Sequence, residues 1–325
     1  MLIKRINKHV FSLESHGKEI KTPFFFPSIS SIRTNFKVTD YFDLIKRTGY
    51  PGFLISAYDV YQVEETDKLS KEISNLSETS KFVLVDSGHY ETFWNNDKKW
   101  SFKKYDSILK NIKLDMCFSH DVFWEKDKKL KEHVSETVTN TAMTAGSLIQ
   151  GEVIPIIHGT PDTFSSIIKG VIKGIEPQII GITERELGAS LLERASTLKK
   201  IRDEVDTIRE NIVIHLLGTG NPASILIYTL CGANTFDALE WCKNVVNPNN
   251  GHLYHFTQKD LIECECKACK LVNVPYHIST MTHNLLFYET FVEEIRDSIG
   301  TKKESNLLKK YLPDHLIKKL KKILK

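Results

Sequence analysis

Three cysteines within six residues, Cys264-Glu-Cys266-Lys-Ala-Cys269, are followed fourteen residues later by His283 at the head of a helix-patterned segment, His283-Asn-Leu-Leu-Phe-Tyr. Three thiolates and an imidazole complete a tetrahedral donor set for Zn2+, and four protein ligands leave no open position for a substrate. The spacing predicts one structural zinc ion per chain, held by Cys264, Cys266, Cys269 and His283. Chemistry must then fall to other residues, and these stand at the ends of short apolar runs. Asp86 follows Phe82-Val-Leu-Val, Asp121 follows Met116-Cys-Phe-Ser-His, and His158 follows Ile154-Pro-Ile-Ile. Gly181 follows Ile179-Ile, Gly218 follows Leu216-Leu, and Asp237 follows Phe236. Asp86, Asp121 and Asp237 brought to one mouth would make an acid/base and nucleophile constellation.

The elements that must position them are βα units. The apolar runs, together with Phe53-Leu-Ile-Ser, alternate with helix-patterned stretches at Ser135 to Gln150, Pro161 to Gly174 and Ala189 to Arg209. Such alternation predicts a parallel sheet in an α/β fold. Six clear strands do not by themselves decide between an open sheet and a closed barrel. No repeat, low-complexity tract or long linker interrupts the pattern, and 325 residues suffice for one large barrel with a small insertion or for two modest domains.

Composition excludes several classes. No apolar run approaches the roughly 18 residues a membrane span requires, and Met1-Leu-Ile-Lys-Arg-Ile-Asn has no signal-peptide pattern, so a cytoplasmic protein is expected. Cys117, Cys231 and Cys242 lie in apolar contexts without paired spacing, so no disulfide framework is implied. Neither a P-loop nor Gly-x-Gly-x-x-Gly occurs. Net charge is only +3, but from Lys302 onward nine lysines face two acidic residues, Glu304 and Asp314. Leu/Ile and Lys alternate at helical spacing from Asp314 to Lys325, which predicts a basic amphipathic helix. Its apolar stripe docks on the body of the protein, or its lysines contact a phosphate backbone.

The Cys-x-Cys-x-x-Cys…His arrangement, with Thr282-His283-Asn284-Leu285 running into Glu294-Ile-Arg-Asp-Ser-Ile299, resembles the tail of the tRNA-guanine transglycosylase superfamily. The resemblance extends in order from about Thr22 to about Ile299. It implies a TIM barrel carrying a zinc subdomain and an exchange of guanine in a nucleic acid for a free 7-deazaguanine. The expected organisation is one (β/α)8 barrel over 1–325, with a zinc-binding subdomain at about 240–283 and a basic helical tail at about 302–325.

Site roles follow from the resemblance, position by position. Asp86-Ser87-Gly88-His89-Tyr90-Glu91 resembles the family's Asp-Ser-Gly-Gly-aromatic-Gln motif, which implies Asp86 as general acid/base, Ser87 as a base contact and Tyr90 as a stacking lid. His89 and Glu91 depart from it and are expected to alter the pocket rim. Asp115 and Asp121 match a pair of aspartates six apart, the second of which takes the N1–H and exocyclic amine of the base. His120 beside it is expected to pack. His158 stands where the family has a glutamine, and a neutral ring there would donate one hydrogen bond to the base carbonyl. Gly181 resembles a strand end that lies against the 7-substituent, and Gly218 ends the next apolar run as a further substrate contact. Gly232-Ala-Asn-Thr-Phe-Asp237 resembles the run that carries the nucleophile, implying a covalent aspartyl-glycosyl intermediate.

The polymer is the open point. Glu240-Trp-Cys, Leu253-Tyr-His-Phe and a shortened spacer between Cys269 and His283 are similar to the branch that inserts 7-deazaguanine into DNA. The expected partners are therefore DNA and a free base such as 7-cyano-7-deazaguanine, with flipping of the target guanine. The alternatives are a compact enzyme acting on tRNA, a non-catalytic accessory subunit, and a zinc-stabilised barrel hydrolase. Trp241 either fills the vacated stack or belongs to the core. Homodimerisation and helper proteins stay open.

Overall fold

In the computed structural model, residues 1–121 and 128–325 are described. A small antiparallel sheet comes first: β1 (Leu2–Arg5), β2 (Phe11–Ser15) and β3 (Lys18–Lys21). His16 and Gly17, with φ of 49° and 73°, turn β2 into β3 as a tight two-residue hairpin whose twist matches its strands.

The parallel strands follow as β4 (Phe24–Ile29), β5 (Gly52–Ser56), β6 (Phe82–Asp86), β7 (Met116–Phe118), β8 (Glu152–Ile154), β9 (Ile156–Ile157), β10 (Ile179–Thr183), β11 (Val213–Leu217) and β12 (Thr235–Ala238). Their order is β8-β7-β6-β5-β4-β12-β11-β10-β9, and every pairing is parallel. The two ends of that order, β8 and β9, are separated in the chain only by Pro155. They are two halves of one stave, so eight staves form a nearly closed barrel, the architecture expected from the resemblance.

Pro155 causes the split. Proline has no N–H for a ladder and is confined to bulges and edges of sheets. Below it, β8 bonds β7, ending with Ser119 N to Ile154 O at 2.8 Å. Above it, the chain turns to β10, with Gly181 N donating to Pro155 O at 2.9 Å and Ile156 N reaching only the Ser119 hydroxyl, at 3.2 Å. The barrel wall between β7 and β9 is thus closed near the mouth by side chains.

The strands are apolar on both faces because helices cover them outside and side chains fill the inside. Three of these helices, Leu130–Ala145, Phe164–Ile175 and Leu191–Ile208, match expected ones, each within a few residues of its span except the first, which starts and ends five residues earlier than Ser135 to Gln150. In Phe164–Ile175 the buried positions Phe164, Ile167, Ile168, Val171 and Ile172 recur at helical spacing. Below the barrel, Lys18 binds Asp115 at 2.8 Å, and Asp115 also accepts from Val83 N and the Ser77 hydroxyl. Asp115 therefore clamps the amino-terminal sheet to the barrel floor and stays out of the mouth.

After β12 a short helix, Glu240–Lys243, leads into the antiparallel pair β13 (Asn244–Val246) and β14 (Leu253–His255), the cysteine segment and the helix Tyr276–Ser298. His283 sits two turns inside that helix and does not head it, because the helix begins at Tyr276. Trp241 is fully buried and donates to Ser28 O at 2.8 Å, so it is a core residue. The tail forms helices Glu304–Tyr311 and Asp314–Ile323, and in the second Ile317 and Leu320 are buried while Lys318, Lys319, Lys321 and Lys322 are exposed. Among the described residues, no helix is long and apolar enough to cross a membrane.

Candidate active site and metal cluster

A cavity of about 360 Å³ opens at the carboxyl ends of the barrel strands, where the sequence placed the polar residues. Asp86, Tyr90, Asp121, His158, Gly218 and Asp237 all line it. Ser87 and Gly181 do not. Ser87 is buried beneath the turn with its hydroxyl unpartnered, and its carbonyl accepts from Trp100 Nε1 at 2.9 Å. Gly181 lies one layer down, where an added Cβ would meet Leu217, Phe118 and Ile154 side chains at 3.2–3.4 Å.

Asp237 is the penultimate residue of β12 and is nearly buried. Its Oδ2 accepts from the Ser28 hydroxyl at 2.9 Å, and its Oδ1 accepts from His215 Nε2 at 3.0 Å and Gly218 N at 3.2 Å. Gly218 offers that N–H from a left-handed turn, φ 77°, a conformation that favours glycine. His215 Nδ1 is 2.9 Å from the Thr235 hydroxyl, so the tautomer protonated at Nε2 accepts from Thr235 and donates to Asp237. Neither Ser28 nor His215 stood out in the sequence: Ser28 lies in β4, which the apolar-run reading omitted, and His215 sits inside an apolar run like a core histidine.

Asp86 ends β6, and its Oδ2 accepts from Gly88 N at 2.9 Å. Burial, reinforced by the charges of Asp237 and Asp121 and opposed by the Gly88 N–H, pushes its carboxyl up to about 7. The turn is tight: Gly88 has φ 83°, and a Cβ there would meet Tyr58 Cβ at 2.5 Å. Helix His89–Asn95 starts at once and carries Tyr90 to the cavity wall. Glu91 and His89 both line the cavity, and Glu91 is buried in its wall, with its carboxylate between the hydroxyls of Ser30 (2.5 Å) and Ser56 (2.8 Å). Burial and then the charges of Asp86 and Asp59 push Glu91 up to about 8.

Asp121 and His158 meet across the seam beside Pro155. His158 Nε2 is 2.7 Å from Asp121 Oδ1, and its Nδ1 is 2.8 Å from Glu186 Oε1. Burial works against the charged ring, but the two carboxylates outweigh it and raise His158 to about 10. This differs from the neutral donor expected at His158: both ring nitrogens face carboxylates, which favour the imidazolium, and what the ring offers the cavity is a fixed Asp121. Glu186 also accepts from Gly159 N at 3.2 Å. Its role was invisible in sequence because its partner lies 28 residues away. His120 packs edge-on against Phe102 at 5.5 Å, as expected of a packing residue.

These groups can act on a purine. Asp121 has the acceptors for two parallel N–H groups, Asp237 presents a fixed carboxylate, and Asp86 has a proton affinity matched to neutral pH.

Away from the mouth, Cys264, Cys266, Cys269 and His283 bring one donor atom each within 4.8 Å of one another. His283 Nδ1 is 3.5 Å from both Cys266 Sγ and Cys269 Sγ. A tetrahedral ion with metal–sulfur bonds of about 2.3 Å and a metal–nitrogen bond of about 2.0 Å demands sulfur–nitrogen separations of about 3.5 Å, so the donors are spaced to hold a metal. His283 Nε2 lies 2.8 Å from Val246 O. Donating there fixes the ring and leaves Nδ1 as the ligand atom, the usual outer support of a metal-binding histidine.

Comparison with known proteins agrees with this geometry. The model of the queuine tRNA-ribosyltransferase family matches residues 8–316. A queuine tRNA-ribosyltransferase of Buchnera aphidicola subsp. Acyrthosiphon pisum (strain 5A) is 24% identical, over 86% of this chain and 88% of its own. A tRNA-guanine(15) transglycosylase of Nanoarchaeum equitans (strain Kin4-M) is 21% identical, over 89% of this chain and 71% of its own. Another of that name, from Sulfolobus acidocaldarius, is 19% identical over 78% of this chain and 52% of its own. With the family matched over nearly the whole length and the carboxylates gathered at the barrel mouth, the chain belongs to the queuine tRNA-ribosyltransferase family of pentosyltransferase enzymes.

Proposed function

We propose that this chain is a base-exchange transglycosylase that replaces guanine in DNA with a 7-deazaguanine such as 7-cyano-7-deazaguanine, through a covalent intermediate on Asp237. The observation that carries the reading is the fixed Asp237 carboxylate sharing a cavity with Asp86, whose proton affinity sits near neutrality.

Asp237 attacks C1′ as the C1′–N9 bond of guanine breaks, and the departing base takes the proton of Asp86. The incoming 7-deazaguanine then gives its N9 proton to Asp86, and its nitrogen attacks C1′ and expels the Asp237 carboxylate. Two displacements restore the original configuration. Asp121 accepts the N1–H and exocyclic amine of either base, held in place by His158 and Glu186. Tyr90 stacks on the base, and Gly218 contributes by holding Asp237. Ser87 and Gly181, set behind the cavity, act through the shape of the turn and the wall rather than by direct contact.

Zinc is the ion we assign to Cys264, Cys266, Cys269 and His283, one per chain, in a subdomain spanning about 240–283. Its role is structural, since Asn284, beside His283, donates to Trp241 O and Asn244 O at 2.7 Å, and Trp241 in turn holds Ser28.

DNA is favoured by the resemblance of Glu240-Trp-Cys, Leu253-Tyr-His-Phe and the short stretch from Cys269 to His283 to the DNA-modifying branch. The tRNA reading is favoured by the relatives, which are named for tRNA. Radiolabelled guanine and 7-cyano-7-deazaguanine offered with duplex DNA and with bulk tRNA separate the two. Label entering DNA alone supports the first reading, label entering tRNA alone replaces it with the second, and base release without exchange makes the chain a hydrolase.

A further inference from the structure

Helix His89–Asn95 carries an aromatic surface of which base exchange at Asp237 uses only Tyr90. Tyr90, Phe93 and Trp94 are 42%, 56% and 44% exposed, whereas most large apolar side chains of the barrel are buried. Tyr90 and Phe93 line the cavity, while Trp94 lies outside it. The Trp94 ring centre is 6.3 Å from that of Tyr90 and 5.3 Å from that of Phe93. The aromatic surface therefore runs unbroken from the cavity wall onto the outside of the protein.

A cation completes it. The Arg33 guanidinium carbon sits 3.6 Å from the Trp94 ring centre, close enough for a stacked plane over the indole. Arg33 reaches this position from the loop after β4 with φ 55°, a left-handed conformation uncommon outside glycine. The loop is fixed on either side by Ser31 N to Asp59 at 2.8 Å and the Thr34 hydroxyl to Ser30 O at 2.9 Å. Lys98 and Lys99 are exposed just beyond the helix. An exposed indole under a guanidinium combines the two elements by which proteins hold unpaired nucleic acid: flat π-faces for bases and positive charge for the backbone.

We infer that Trp94 and Arg33 form a stacking platform for the nucleobase adjacent to the exchanged nucleoside, a reading that rests on the nucleic-acid substrate proposed above. Geometry supports this occupant. The Tyr90 and Trp94 ring centres are 6.3 Å apart with planes inclined at 70°, so neighbouring bases that meet the two rings are splayed rather than stacked on each other, as unpaired nucleotides are when proteins read them. Taking the target base into the cavity strips its neighbour of one stacking face, and Trp94 supplies a replacement.

The test uses the full chain, with 2-aminopurine next to a target guanine in a DNA duplex and in an RNA hairpin. In wild type the probe is quenched by stacking. Trp94→Leu keeps the bulk and loses the π-face, and should weaken binding about five- to a hundredfold and relieve the quenching, with Trp94→Phe restoring much of both. Arg33→Gln should weaken binding in the same direction, with a shallower salt dependence. Circular dichroism melting checks that each variant is folded. Wild-type affinity and quenching in a folded Trp94→Leu protein overturn the platform while leaving the exchange reading intact. If wild type exchanges guanine in neither nucleic acid, both readings fall together.

Discussion

Asp121 and Glu186 share one imidazolium: His158 places Nε2 2.7 Å from the first and Nδ1 2.8 Å from the second. The ring thereby fixes the orientation of the carboxylate at the cavity wall and moderates the repulsion among Asp86, Asp121 and Asp237. Removing Glu186 should loosen Asp121 without touching the bond-breaking groups. Glu186→Gln is expected to raise KM for the free base about tenfold and to leave kcat within a few-fold. An unchanged KM, measured with guanine and with 7-cyano-7-deazaguanine, would mean that Asp121 needs no support.

The same pair gives a pH signature. His158 is raised in the folded protein from 6.5 to about 10, so its contribution to stability is fully present below pH 6.5 and fades as pH rises towards 10. The melting temperature of wild type minus that of His158→Gln should therefore be larger at pH 6 than at pH 10. A difference that grows with pH would contradict the imidazolium.

Asp86 should show opposite limbs in the two half-reactions. With its carboxyl near 7, formation of the covalent complex needs the protonated form and should slow above about pH 7, while attack by the incoming base needs the ionised form and should slow below it. Single-turnover rates for each half, taken across pH 5–9, resolve the two limbs.

Asp86 also carries a cost. Its pKa is higher folded than the ordinary 3.8, so its effect on stability declines as pH rises from about 3.8 through about 7. Asp86→Asn should accordingly be more stable to unfolding than wild type at pH 8, by on the order of 1–3 kcal/mol, while losing 10²–10⁴ in exchange rate. A less stable Asn variant would point to lost hydrogen bonding at the Gly88 turn as the larger effect.

Asp237→Ala should abolish the denaturation-resistant protein–nucleic acid complex and lower exchange by about 10⁴ or more. His215→Asn, which removes the ring but keeps a polar group, should slow covalent complex formation by about 10–100-fold with little change in KM for the base. Denaturing gels after reaction with labelled substrate report both.

If the cluster holds the zinc proposed for it, Cys266→Ser should lower metal content and reduce thermal stability together. Because Trp241 ties this region to Ser28, and Ser28 to Asp237, partial loss of exchange should accompany metal loss even though no ligand reaches the cavity. Elemental analysis beside melting curves separates this from simple misfolding.

The sequence was most legible where information is local. Cys264, Cys266 and Cys269 announce their cluster by spacing, and the strand-end aspartates sit at the cavity as expected. The least legible element was β4: Phe24-Phe-Phe-Pro-Ser-Ile carries a proline that speaks against a central strand, yet Pro27 pairs with Ala238 only at the mouth end of the ladder. Missing β4 hid Ser28, which orients Asp237. Glu186 and the burial of Glu91 escaped the sequence for a related reason, since each takes its meaning from partners brought together only by barrel closure: His158 for one, Ser30 and Ser56 for the other.

Pro155 gives the barrel an unusual place to vary. Where two staves are joined by main-chain bonds, their separation is set by the ladder and substitution cannot alter it. Beside Pro155 that function passes to Ser119, Asp121 and His158, so the width of the wall depends on which side chains stand there. A lineage could retailor the slot for a different base by changing two or three codons, with the scaffold untouched.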